Sequence, residues 1–106
     1  MIVKNLTQKV TFKASPSDVY KTLLDPDEHE AFSGEPAKLD ARVGGRFEHF
    51  GGSLSGIVVH LEKDRRIVLA WRSSGWPEGH YSIAQFVLKK EGKSTRLEFS
   101  QFGIPS

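Results

Sequence analysis

Apolar and polar positions alternate from near the start of the chain. Between Leu6 and Phe12, an extended backbone puts Leu6, Gln8, Val10 and Phe12 on one side and Thr7, Lys9 and Thr11 on the other, the pattern of a half-buried strand. The period then lengthens. Val19, Tyr20, Leu23 and Leu24 form one apolar stripe at the spacing of a helix laid on a sheet. Ser15 is a good N-cap for it, Pro16 suits the first helical position, and Asp18 stands where an acid favours the positive helix end. Asp25-Pro26-Asp27-Glu28 repeats the start signal, which predicts a second short helix reaching Phe32 before Ser33-Gly34 ends it.

From Ala37 the pattern is one of strands and turns. Lys38 to Arg42 reads as a weak strand broken by Gly44-Gly45, and Arg46 to Phe50 alternates with Phe47 and His49 on one face. Leu54 to Glu62 and Arg66 to Arg72 form a hairpin around Lys63-Asp64-Arg65, with Ile67, Leu69 and Trp71 sharing a face. Tyr81 to Lys90 and Thr95 to Gln101 form another around Glu91-Gly92-Lys93-Ser94, with Leu97, Phe99 and Gln101 aligned. Phe86 is placed inward with Ala84 and Leu88, which sends Gln85 outward. One strand, two helices and five or six antiparallel strands make an α+β fold. With no repeat, linker or low-complexity segment, residues 1–106 read as a single domain.

The hairpin connection at Val68 to Ser82 carries two tryptophans. Trp71 closes the alternating run and is expected on a buried sheet face, while Trp76 precedes a proline and is expected to be extended. Pro77-Glu78-Gly79 then reverses the chain, with proline presetting φ at one corner and glycine supplying positive φ at another. The two indoles either form an aromatic lip beside a site or simply fill core.

Composition narrows the function classes. At 106 residues, 38% hydrophobic and 26% charged, the chain can build one core. Its 15 Lys+Arg against 13 Asp+Glu leave a formal charge of +2, scattered as pairs beside strand turns, so no nucleic-acid partner is expected. No apolar run approaches the roughly 20 residues of a membrane span and no export signal opens the chain, which predicts a cytoplasmic protein without a membrane partner. Zero cysteines remove disulfides and thiolate catalysis.

Chemistry-bearing motifs are sparse. No glycine-rich strand-to-helix phosphate loop is present, because Gly44-Gly45 and Gly51-Gly52 precede strands. His29 sits between two glutamates without a second histidine at helical spacing, so no metal site and no cofactor are expected. His60, grouped with Val58 and Glu62, reads as near solvent. His49 alternates inward and is suited to a polar ligand contact, but no second acid or base completes a mechanism, so no catalytic residue is assigned.

Several words of the sequence carry a resemblance. Gly44-Gly45-Arg46-Phe47, Leu54-Ser55-Gly56, Ile67 through Arg72, Trp76-Pro77-Glu78-Gly79-His80 and Phe102-Gly103-Ile104-Pro105 are similar to the carboxy-terminal domain of the activator of heat-shock protein 90 ATPase. That family lies within the SRPBCC, or START and birch-pollen-allergen-like, superfamily. The resemblance implies a helix-grip fold, in which a curved antiparallel sheet wraps a long carboxy-terminal helix, and it implies that His80 holds the tryptophan turn. In the family that helix follows the Gly-Ile-Pro segment, whereas this sequence stops at Ser106. The expectation is therefore a helix-grip domain lacking its last helix here, whose concave face is covered by a later segment, an unobserved one or a partner, most simply a second copy in a two-fold dimer.

Three functions remain open. The first is a non-catalytic binding domain whose cavity takes a hydrophobic small molecule, with Phe47, His49, Leu69, Trp71, Trp76, Phe86, Phe99 and Gln101 as ligand-binding candidates. The second is a co-chaperone-like domain that docks on a heat-shock chaperone or another protein. The third, ranked well below, is a cyclase- or hydrolase-type enzyme, which needs a buried acid or base that the sequence does not place.

Overall fold

The computed structural model describes residues 3–25, 37–49 and 54–105. Strand β1 (Val3–Phe12) is followed by helix α1 (Pro16–Leu23) and then by β2 (Ala37–Leu39), β3 (Arg46–His49), β4 (Leu54–Glu62), β5 (Arg66–Ser73), β6 (Ser82–Glu91) and β7 (Ser94–Pro105). They form one seven-stranded sheet in the order β1-β7-β6-β5-β4-β3-β2, every pair antiparallel. The expected second helix, from Asp25 to Phe32, falls on residues 26–36 and so lies outside the described residues.

Helix α1 forms as its local chemistry dictates. Ser15 is extended at φ −71, ψ 156, and its hydroxyl accepts from the Asp18 amide at 3.2 Å. Pro16 follows at the helix start, where the missing N–H costs nothing. The helix lies against β6 and β7. Val19 is buried with Leu88 and Leu97, and Tyr20, Leu23, Ala14 and Phe86 pack around that cluster. Thr95 fastens the helix entry to the sheet, its hydroxyl donating to the Ala14 carbonyl at 2.7 Å. Phe47, Val58, Ile67 and Ala84 are buried as well, one on each of β3, β4, β5 and β6.

Two expectations require correction. β1 alternates as read, but it is not half-buried: Leu6, Val10 and Phe12 are exposed on its inner side. β1 is an edge strand, and α1 packs mainly against β6 and β7, which leaves the inner side of β1 largely open. His60 does not share a face with Val58, because the β4–β5 register shifts between these residues. The bulge leaves Val58 fully buried and turns His60 outward, where its ring lies 3.2 Å from Glu62.

On the outer face, Lys89 Nζ lies 2.8 Å from Glu98 Oε2. That ammonium holds the Glu98 carboxyl below its ordinary value; burial opposes the shift, and Arg96 and Lys9 add to it. A carboxyl lowered in the folded state contributes stability above its unfolded pKa and loses it as pH falls through the folded pKa. Urea unfolding of Glu98→Gln is therefore expected to show a flatter acid limb than the parent, with the two curves converging once the parent carboxyl is protonated.

Candidate functional site

Between the end of α1 and the inner face of the sheet lies an apolar cavity of about 250 Å³. Leu23 and Leu24 reach it from the helix end, Leu39 and Leu54 from β2 and β4, and Leu69, Trp71, Phe86, Phe99 and Gln101 from the sheet. Phe86 and Phe99 stand opposite each other in the β6–β7 register, with ring centroids 4.9 Å apart. Among the described residues around the cavity none is charged, and Gln101 supplies the amide.

Five of the eight candidates named from the sequence thus come together: Leu69, Trp71, Phe86, Phe99 and Gln101. Phe47 does not join them. It faces inward but is only 2% exposed, packed over Gly56, where a glycine lets the ring descend onto the backbone of β4. Trp76 stands behind Trp71 rather than on the cavity, edge-on with centroids 5.2 Å apart. His49 pairs through its backbone with Ala37 and Leu54; its side chain lies outside the described residues.

The polar group of the cavity is held from below. Gln101 Nε2 donates to Ser82 Oγ at 2.8 Å, and Ser82 Oγ donates to the Trp71 carbonyl at 3.2 Å. Both side chains are buried, Ser82 fully and Gln101 to 8% exposure. Sequence reasoning named Gln101 but not Ser82; the pair is nineteen positions apart and only the β6–β7 register joins it.

The tryptophan connection is two successive turns. The Trp76 amide donates to Ser73 and the His80 amide to Pro77. Pro77 therefore opens the second turn instead of occupying its corner, and Gly79, at φ 77, supplies the positive φ. Arg72 donates to the carbonyls of Trp76 and Pro77, each at 3.3 Å, and its guanidinium lies over the Tyr81 ring. His80 packs edge-on against Trp76, and its Nε2 donates to the Gly103 carbonyl at 2.7 Å.

Gly103 stands where β7 bulges against β1: Lys4 pairs with Ile104 and Leu6 with Gln101, leaving two residues of β7 opposite Asn5. Its φ of 78 is left-handed, and its amide donates to Asn5 Oδ1. Gly103→Ala meets only the Tyr81 carbonyl oxygen, at an ordinary 4.0 Å, but must hold that φ, so a loss of about 1–2 kcal/mol is expected in urea unfolding. An unchanged midpoint would show that the bulge does not need glycine.

The outer face of the sheet carries its own apolar row. Ile57, Ala70, Ile83 and Phe102 lie side by side across β4, β5, β6 and β7. Ile57, Ile83, Phe102 and the neighbouring Tyr81 are each 38–46% exposed. No helix among the described residues is long and apolar enough to cross a membrane.

Comparison with known proteins agrees with the fold. The family described as "Activator of Hsp90 ATPase homolog 1-like protein" matches residues 13–106. The Homo sapiens activator of 90 kDa heat shock protein ATPase homolog 1 is 34% identical over 101 residues, covering 95% of this chain and 30% of the relative. The Dictyostelium discoideum homolog is 32% identical over 103 residues, covering 96% and 27%. The chain thus spans about 30% of the length of the curated relatives it matches. An HSP90 activator from Plasmodium falciparum superposes with a TM-score of 0.92 at 25% identity, covering 95% of this chain and 74% of that one. The Aha1 dimer from Colwellia psychrerythraea gives 0.79 at 18% identity, covering 97% and 78%, a likeness of fold alone. With the family pattern matching nearly the whole chain and the helix-grip sheet found in its structural neighbours, the protein belongs to the activator of Hsp90 ATPase homolog 1-like family, an SRPBCC-type domain.

Proposed function

We propose that this chain is a docking domain for a chaperone ATPase of the Hsp90 type. The observation that carries the reading is the outer-face row of Ile57, Ile83, Phe102 and Tyr81, large apolar side chains left exposed where a one-sided sheet ordinarily presents polar ones. Relatives named as activators of the Hsp90 ATPase supply the partner. Arg46 and Arg72 flank the row, and neither pairs with a carboxylate among the described residues, so a partner surface combining apolar and acidic side chains fits it.

The test is titration of 15N-labelled chain with a purified Hsp90-type chaperone. Line broadening is expected to centre on Tyr81, Ile83 and Phe102, and Ile83→Asp, a change on an already exposed position, is expected to weaken binding at least tenfold with the circular dichroism unchanged. No binding, or equal binding by Ile83→Asp, overturns the proposal.

A second reading rests on the cavity: the domain holds a small apolar molecule. Its volume lies just under the roughly 300–1,000 Å³ usual for ligand sites, so the occupant must be compact. The two readings use opposite faces of the sheet and can hold together.

A further inference from the structure

We infer that the cavity selects a compact, uncharged apolar molecule bearing a hydroxyl or N–H, which donates to Gln101 Oε1. The inference rests on the second reading above, that the cavity holds a ligand, and adds what that ligand must carry.

The argument follows the hydrogens. A serine hydroxyl has one hydrogen, and that of Ser82 is directed to the Trp71 carbonyl. Ser82 Oγ can then only accept from Gln101, which fixes the amide with its nitrogen toward Ser82. The carbonyl oxygen is left on the other branch. Gln101 lines the cavity, is 8% exposed, and its oxygen meets no donor among the described residues. The oxygen keeps contact with solvent in the cavity; an apolar ligand that displaces that solvent leaves it without a donor, and a ligand that supplies one avoids that cost.

The remaining lining residues narrow the chemistry. Trp71 can add only a donor, and the others around the cavity are aliphatic or phenylalanine side chains. Among the described residues no cation stands there to meet an anion, so a carboxylate would enter both unpaired by them and facing the Gln101 oxygen. Simple fatty acids are therefore disfavoured, and alcohols or phenols of similar size favoured. An ether of the same shape satisfies the apolar walls but leaves Oε1 unpaired.

Calorimetric titration with 1-octanol, its isomer 1-methoxyheptane and octanoate tests this directly. The alcohol is expected to bind roughly three- to tenfold more tightly than the ether, with octanoate weakest, and to shift the Gln101 side-chain amide resonances. In Gln101→Met, folded by circular dichroism, the alcohol and ether are expected to bind alike. If the unmodified chain binds alcohol and ether equally, the donor requirement is wrong while the cavity reading stands. If the alcohol preference survives in Gln101→Met, the acceptor is not Gln101. Binding of none of the three by the unmodified chain overturns the cavity reading and this inference with it.

Discussion

Trp71→Ala is expected to lower the stability of the domain by about 3 kcal/mol, near the low end for truncating a core aromatic because the indole keeps some exposure. Trp71 pairs with Gly56 on one side and Ser82 on the other, two small cross-strand partners, with its side chain on the inner face. It forms part of the cavity wall and is also the surface against which Trp76 packs, 5.2 Å away. Trp76 in turn supports His80, whose ring nitrogen reaches the carbonyl of Gly103 in β7. Truncation therefore removes apolar area and undermines the chain of contacts that ties the double turn to the bulged end of the sheet. Urea unfolding should show the full loss for Trp71→Ala and a smaller one for Trp76→Ala, which takes away only the second link. If both variants unfold with the parent, the indoles are surface ornaments and the inward register of β5 is misassigned.

Different parts of this architecture were legible to different degrees. Helix α1 was readable because its signals are local: Ser15, Pro16 and Asp18 act within one turn, and the stripe from Val19 to Leu24 needs only a flat apolar surface. The hairpins were readable from alternation, which says which face a side chain takes. Alternation does not say which layer it reaches. Phe47 and Phe99 both face inward, yet one is sealed over Gly56 and the other lines the cavity, and only the strand order separates them. Bulges were invisible for the same reason. A single extra residue between Val58 and His60 reverses every facing beyond it without changing the composition of the strand. The outer-face row, by contrast, left a signal in the sequence. At the start of β6 the outward Tyr81 and Ile83 are larger than the inward Ser82 and Ala84, an inversion that a count of inward residues passes over. The orientation of Gln101 had no such signal, since it depends on a hydroxyl in the neighbouring strand that is itself committed to a third.

The close approach of Phe47 to Gly56 predicts an asymmetric pair of losses. Phe47→Ala removes a side chain that is 2% exposed and leaves a void over β4, for an expected loss of about 3–5 kcal/mol. Gly56→Ala adds a single carbon, but that carbon would stand 2.6 Å from Phe47 Cζ and would overlap the Ala70 carbonyl oxygen. The ring can tilt away; the carbonyl belongs to β5, paired with β4, and can move only by opening that pairing. An overpacking loss of about 2–3 kcal/mol is therefore expected. Shortening the ring should return only part of it, so Gly56→Ala combined with Phe47→Leu is expected to be less destabilised than the sum of the single changes, yet still less stable than Phe47→Leu alone. Urea unfolding of the four chains closes the cycle. Strict additivity would mean that the ring does not touch Gly56, and full rescue would mean that the backbone of β5 yields where an antiparallel ladder should hold it.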